Sequence, residues 1–530
     1  RFVSLPDIVA LVALAWNAGR TENGLARMDE LADIRTTRLA CRIAQKELAE
    51  RTGVSLATLR RVERGFRRPS DDELAHMAEA LGVDPVRLGE AHARIMSEAT
   101  PGEGYTTVRA DGSEVGERET EPPANLVPVL DLFCGAGGIS HGFEQTGVFA
   151  VTAGLDLLRD RVGTFRLNHP YAATILGDVR TFSRAALRKL ACDPEVIVGG
   201  PPCQGFSSIR PFRTLTEGDP RNSLVEEFVM IVGELRPRWF VFENVVGLLT
   251  HDKGSAFRAL LLGFEDAGYS VDWRVVNMAL LGLPQARERL VVVGSRDGER
   301  FDWPTPTNAY DGRSMAGKDA KRLDVAPLFH GQLPPAVTVI DAIGDLPPIE
   351  SGSAASGYDD SRPITEYARM IRGNCPALTK QDTPRHSDTK MEIIRLSGAS
   401  RSALPEGMTS SGFSSCYSRL EPDRPSVTLT VNFVHPASNR CIHPFQNRAL
   451  TPREGARLQG FPDGFRFAGT RAQIVKQLGN AVPPILGRAI AGRLAQAMGL
   501  RGDALDPRRS EGCEDLPGSE VGRSTRAVAG

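Results

Sequence analysis

From residue 127 onward, short and almost unbroken apolar runs alternate with amphipathic stretches. The runs are VPVLDLF (127–133), VFAVTAGLD (148–156), AATILGDV (172–179), EVIVGG (195–200), RWFVFENV (238–245), YSVDWRVVNM (269–278) and RLVVVGS (289–295). Strands that are apolar on both faces and separated by helices predict a parallel sheet covered on both sides, with ligands at the carboxyl ends of its strands. The rhythm is lost between 301 and 440, where Pro, Gly and Ser interrupt it, so a smaller irregular domain is expected there. It returns over 441–500, and a disordered tail is expected over 501–530. Upstream, 36–97 is dense in helix formers with almost no strand signal. Residues 98–125, rich in Gly, Pro, Glu and Thr, read as a linker. Residues 1–35 read as a helical lead-in of uncertain role.

Composition narrows the classes. In 530 residues, 41% hydrophobic and 24% charged, Lys+Arg is 64 against 65 Asp+Glu. This is globular composition for two or three domains, and nucleic-acid affinity would have to come from local patches. The eight Cys include no CxxC pair, so neither a zinc site nor a disulfide framework is expected, and a reducing cytoplasm suits them. The apolar run over 8–16 is too short to cross a bilayer.

One local patch stands out. Between Arg35 and Arg68, ten basic residues face three acidic ones, the footprint of contact with a DNA backbone. In AQKELAERTGVSLATLRRVERG, Ala49 is small where two helices would cross. Gly53 supplies the φ > 0 of a sharp turn, and Leu59 and Val62 turn inward. Ser70 and Glu73 form a capping-box pattern at the next helix. The segment resembles the repressor-type (phage-repressor-like) helix-turn-helix family. The resemblance implies a recognition helix over 55–64, with Gln45, Ser55, Ala57, Arg60 and Arg61 as DNA contacts. Leu56 departs from the polar base-reader of many relatives. It would touch a thymine methyl or pack internally.

The carboxyl ends of the apolar runs carry the candidate chemistry. DLFCGAGG (131–138) is a Gly-rich strand-to-helix turn, by itself a weak signal shared by several nucleotide cofactors. Asp156 ends the second run, where it can bond ribose hydroxyls. Asp178 ends the third, and Phe133 offers a face for adenine. The fourth run leads into PPCQGFS, where two prolines direct the Cys203 sulfur, and the fifth ends in FENV with Glu243. A thiolate beside a carboxyl suits attack on carbon 6 of cytosine, with the acid protonating ring nitrogen 3.

DLFCGAGG, GGPPCQGFS, ENV, QARER (285–289), RALTPREGARLQGFPD (448–463) and GNAVPP (479–484) occur in order. Together they make the chain resemble the DNA (cytosine-5)-methyltransferases over about 127–497. The resemblance implies an α/β fold: a Rossmann-like, mostly parallel S-adenosylmethionine-dependent methyltransferase sheet with a smaller target-recognition domain, preceded by the all-α helix-turn-helix domain. It implies S-adenosylmethionine as cofactor, held by Asp131, Phe133, Gly135, Gly137, Asp156, Asp178, Pro201 and Asn480. It implies Cys203 as nucleophile, Glu243 and Arg289 on the target cytosine with Arg287 in support, and Ser207 and Arg210 on DNA.

Arg448, Arg453 and Glu454 are expected to form a structural salt-bridge network. Double-stranded DNA is the implied partner, with operator DNA for the N-terminal module. No metal is implied, and the implied location is the bacterial cytoplasm, at the nucleoid. The alternatives are a transfer-RNA methyltransferase, a DNA-binding regulator with a silent catalytic domain, and an NAD-dependent enzyme, which the Cys203–Glu243 pair opposes.

Overall fold

The computed structural model describes residues 34, 37–38, 41, 43–63, 69–89, 105–108, 113–202, 223–317, 320–325, 331–409 and 415–500. The expected lead-in, tail and Cys203 loop lie outside these. The N-terminal module contains α1 (Gln45–Thr52), α2 (Leu56–Val62) and α3 (Asp71–Leu81). Gly53 takes φ +67° at the end of α1, as the tight turn demands. Ala49, Leu59 and Val62 are buried with Leu48, Met77 and Ala78. Leu56 packs against this core, which favours the second of its two expected roles. Ser70 and Glu73 form the reciprocal capping box of α3.

The catalytic-side domain is built on one nine-stranded sheet ordered β1-β2-β5-β4-β3-β6-β7-β10-β8. Its strands are β1 (Tyr105–Val108), β2 (Glu114–Gly116), β3 (Val127–Leu132), β4 (Phe149–Asp156), β5 (Ala173–Leu176), β6 (Val196–Gly199), β7 (Trp239–Asn244), β8 (Ser270–Asn277) and β10 (Glu288–Ser295). β5, β4, β3, β6 and β7 run parallel. Side chains alternate between faces along each strand. Leu130, Ile197, Phe240 and Phe242 enter one core with α6 (Arg184–Leu190), α7 (Ser223–Leu235) and α8 (Ser255–Asp266). Val129, Val196, Val198 and Val241 enter the other with α4 (Gly138–Glu144) and α14 (Pro484–Ala497). Between β4 and β5 lies α5 (Arg159–Asn168).

Two features depart from the expected pattern. β10 runs antiparallel to both of its neighbours, β7 and β8; residues 278–287, which connect β8 to it, are fewer than the dozen or more that a parallel crossover needs. Part of the expected linker belongs to the sheet: β1 and β2 pair as a hairpin, and β2 pairs antiparallel with β5 at the other edge.

The smaller domain carries α9 (Val339–Ile343), α10 (Glu366–Arg372) and α11 (Asp388–Leu396) among irregular segments and two-residue strands. Its core also takes Ala456 and Leu458 from α12 (Pro452–Leu458), Leu478 from α13 (Arg471–Asn480), and Leu450 and Phe461 from the chain flanking α12. The returning chain therefore completes the small domain before α14 rejoins the sheet. Arg448 pairs with Glu454 at 2.6 Å, and Arg457 with Asp463 at 2.6 Å, all at most 1% exposed. Arg453 donates to the Thr379 carbonyl and hydroxyl. The network expected of Arg448, Arg453 and Glu454 is thus internal to this domain.

α4 and α14 meet backbone to backbone. A Cβ on Gly142 would stand 2.1 Å from the Pro484 carbonyl oxygen. Gly142→Ala should therefore cost about 1–3 kcal/mol of stability, read as a lowered urea midpoint. An unchanged midpoint would mean that this approach is not a constraint.

Candidate active site

The strand order places β3 at the reversal point, with β4 and β5 on one side and β6 and β7 on the other. The turns after β3, β4, β6 and β7 therefore open on one edge, where open α/β sheets bind ligands. The turn after β3 is sharply bent: Phe133, Gly135 and Gly137 all have positive φ, +60°, +56° and +86°. The glycines have different tasks. A Cβ on Gly137 would lie 2.3 Å from His169 Nε2, and one on Gly138 would lie 2.0 Å from the Val482 carbonyl oxygen. At Gly135 the nearest such atom is the Phe133 carbonyl oxygen at 3.9 Å, so that side of the turn is open to a ligand.

Asp156 closes β4 with its carboxylate accepting from the Gly135 N–H and the Leu158 N–H, both at 3.0 Å. An open glycine backbone facing a carboxylate with spare lone pairs fits a ribose-bearing cofactor. Asp178 is gripped by Arg180 through both oxygens, at 2.9 and 2.5 Å, which pulls its carboxyl below the usual range. The cofactor contact expected of it would have to share that carboxylate. Asp131 is buried beneath the turn and accepts from Ser140 Oγ at 2.5 Å. Asn480 is exposed at the end of α13.

The opposite wall comes from β6 and β7. Glu243, the penultimate residue of β7, is 8% exposed and pairs with Arg289 at 2.8 Å. Burial raises the Glu243 carboxyl, opposed by the charges of Arg289 and Arg287. A Cβ on Gly200 would come 2.9 Å from Glu243 Oε2, so the root of the PPC turn abuts the carboxyl. The Asn244 side chain donates to the Pro201 carbonyl at 3.3 Å and accepts from the Val245 N–H, tying that root to β7. Cys203, Ser207 and Arg210 lie outside the described residues.

Sequence reasoning passed over Asn244 and Gly200, although both stand in quoted motifs. It also passed over His169, whose packing under Gly137 has no sequence signal. Arg287 was expected in support of Arg289. Its side chain is 1% exposed and donates to the carbonyls of Leu429, Gly479 and Ala481, so it is enclosed by protein rather than offered to a base.

In the N-terminal module, two expected DNA contacts have internal partners. Gln45 donates to Glu63 at 2.6 Å, and Glu63 is paired with buried Arg38. Ser55 caps α2, accepting from the Thr58 N–H and donating to its hydroxyl. The side chains of Ala57, Arg60 and Arg61 lie outside the description. The helix itself begins at Leu56 rather than Ser55.

A model of the C-5 cytosine-specific DNA methylase family matches residues 127–496. The chain belongs to that family. It is thus a DNA (cytosine-5)-methyltransferase, and a helix-turn-helix model matches residues 34–88. Among curated relatives, the type II methyltransferase M.AgeI of Thalassovita gelatinovora is 33% identical over 68% of this chain and 97% of its own. M1.HphI of Haemophilus parahaemolyticus is 33% identical over 68% and 85%. A solved putative DNA modification methyltransferase encoded within a prophage (E. coli) is 27% identical, with a TM-score of 0.53 over 70% of this chain and 99% of that one. Enzymes of this family use S-adenosylmethionine in general. Among the described residues of the methyltransferase no helix is long and apolar enough to span a membrane, and no His, Cys, Asp or Glu group could hold a metal.

Burial pushes Asp131 up to about 7 against the opposing Ser140 hydrogen bond. An unfolded Asp loses its proton near pH 4. Between these values the folded state holds more protons, so this group's contribution to stability falls as pH rises from about 4 through about 7. Asp131→Asn, which imitates the protonated form, should flatten that fall in urea midpoints measured across the window. Parallel curves for parent and variant would contradict it.

Proposed function

We propose that the protein methylates carbon 5 of a cytosine turned out of a specific duplex sequence, as the modification component of a type II restriction–modification system or as a solitary methylase. The observation that carries this reading is the buried Glu243–Arg289 pair, set against the root of the PPC turn on the edge where the Gly-rich turn opens. An in-helix base cannot reach such a recessed edge, so the target has to leave the stack.

In this reading Cys203 adds through sulfur to carbon 6, forming an S–C bond. Glu243 delivers a proton to nitrogen 3, so the ring's electron density moves to carbon 5. Desolvation favours the protonated carboxyl needed for that step, and Arg289 orients it. The cofactor, when bound, supplies an electrophilic methyl group on a sulfonium. Asp156 would hold its ribose and the open backbone at Gly135 would let it approach. Loss of the carbon-5 proton to a base then expels the Cys203 thiolate, nitrogen 3 returns its proton to the Glu243 carboxylate, and 5-methylcytosine is left. The relatives named as type II methyltransferases support duplex DNA over transfer RNA as substrate.

The N-terminal module would bind operator DNA and repress the methyltransferase's own transcription, and the basic excess around α2 supports that role. The enzyme would then work in the bacterial cytoplasm, at the nucleoid.

Labelled methyl transfer to duplex DNA tests the chemistry, with bisulfite sequencing to read the target. Cys203→Ser should lose at least about 10⁴-fold in rate, and Glu243→Gln about 10²- to 10³-fold. A Cys203→Ser enzyme as fast as its parent would overturn the mechanism, and labelling of transfer RNA alone would overturn the substrate. Separately, Arg60→Ala with Arg61→Ala should weaken binding to DNA upstream of the gene at least tenfold while leaving methylation unchanged. Equal loss of both would make the module part of substrate binding.

A further inference from the structure

The QARER segment does two jobs, and only its last residue belongs to the catalytic pair. β9 (Gln285–Ala286) pairs in parallel with β12 (Ser426–Val427) of the small domain. The side chain of Gln285, wholly buried, accepts from the Leu429 N–H at 3.1 Å and donates to the Leu458 carbonyl at 3.1 Å. Thr428 Oγ1 donates to the Ala286 carbonyl at 2.9 Å. The Arg287 N–H then closes a tight turn onto the Gln285 carbonyl, and the chain enters β10.

The Arg287 guanidinium reaches three carbonyls from two separate places: Leu429 at 3.4 Å, then Gly479 at 3.3 Å and Ala481 at 2.9 Å. Only a planar fork of several donors spans such a set. The same joint is closed from the other side. A Cβ on Gly479 would sit 2.5 Å from the Thr430 carbonyl carbon and from the Val431 nitrogen. Beyond the joint, the chain runs directly into a self-braced loop. His435 N–H and Ser438 Oγ both bond the Asn432 carbonyl there, and Asn432 and His435 are exposed.

We propose that Arg287, with Gln285, is a positioning residue. It latches segment 426–431 to the catalytic edge and so sets the 432–439 loop, which exposes Asn432 and His435, in register with the Glu243–Arg289 pair for capture of the target duplex. This rests on the DNA-methylation reading above. A latch of this kind acts on how substrate is seized and leaves the Glu243–Arg289 pair in place.

The test uses the full chain and the target duplex identified by bisulfite sequencing. Arg287→Ala should raise KM for DNA at least tenfold, and kcat should stay within about threefold in Arg287→Lys and Gly479→Ala, which keep the positive charge that acts on Glu243. Arg287→Lys, able to serve one carbonyl, should recover part of the loss. Gly479→Ala leaves the Arg287 side chain intact and should reproduce the KM defect by forcing the joint open. If Arg287→Ala does not accumulate folded, the other two variants carry the same comparison. Hydrogen exchange adds a readout independent of activity: the Leu429 amide should lose protection in each variant. A fall in kcat beyond about threefold in Arg287→Lys or Gly479→Ala, an unchanged KM, or an unchanged Leu429 amide would overturn the latch. A parent chain inactive on duplex DNA would instead defeat the methylation reading, and the exchange result would still judge the latch.

Discussion

The close backbone approach of residues 479–487 to the rest of the protein is the constraint on which the architecture depends. Gly479 lies against Thr430 and Val431, Val482 against Gly138, Pro484 against Gly142, and Gly487 against the Ile139 carbonyl. Most of these contacts leave no room for a side-chain carbon. They bring the Gly-rich turn near the start of the sheet and the small domain together, across more than 300 residues of chain. The Gly-rich turn, the Glu243–Arg289 edge and the small domain can stand together only if that return path is narrow.

Electrostatics at the edge follow from the same crowding. Glu243 faces two buried guanidiniums, yet its burial still raises its carboxyl, so neither partner fully offsets the loss of water. Arg289 meets the carboxyl directly. Arg287 is solvated by carbonyl dipoles, and its burial lowers its own basicity, with Arg289 adding repulsion and Glu243 opposing. A positively biased, water-poor edge suits thiolate addition to a neutral ring. It also suits the phosphates that accompany an everted base.

What could be read in advance was local or periodic. All seven apolar runs became strands within a residue or so at most boundaries, because strands buried on both faces need unbroken apolar sequence. Gly53 and the Ser70–Glu73 cap were legible for the same reason: each acts within four residues. Strand direction was not legible, since periodicity carries no sense of up or down, and so the β8–β10 inversion was unforeseen. β1 and β2 were missed because they are short and their flanks are rich in Gly and Glu. The internal partners of Arg287, Gln45 and Ser55 were not legible, because Leu429 and Ala481 are remote in sequence, Glu63 lies 18 residues from Gln45, and the Ser55 cap depends on the turn that follows it. Residue type identifies a capable group; only the fold decides whether it faces a ligand or a neighbour.

The central claim is a sulfur–carbon bond between Cys203 and a cytosine beside Glu243. It is tested most directly by incubating the intact protein and S-adenosylmethionine with target duplex carrying 5-fluorocytosine, then mapping any adduct by peptide mass spectrometry. A covalent complex on the peptide bearing Cys203, stable because fluorine cannot leave as a proton does, is the predicted result. Methylation of ordinary target duplex by the same preparation with no adduct, or an adduct on any other residue, would contradict the account.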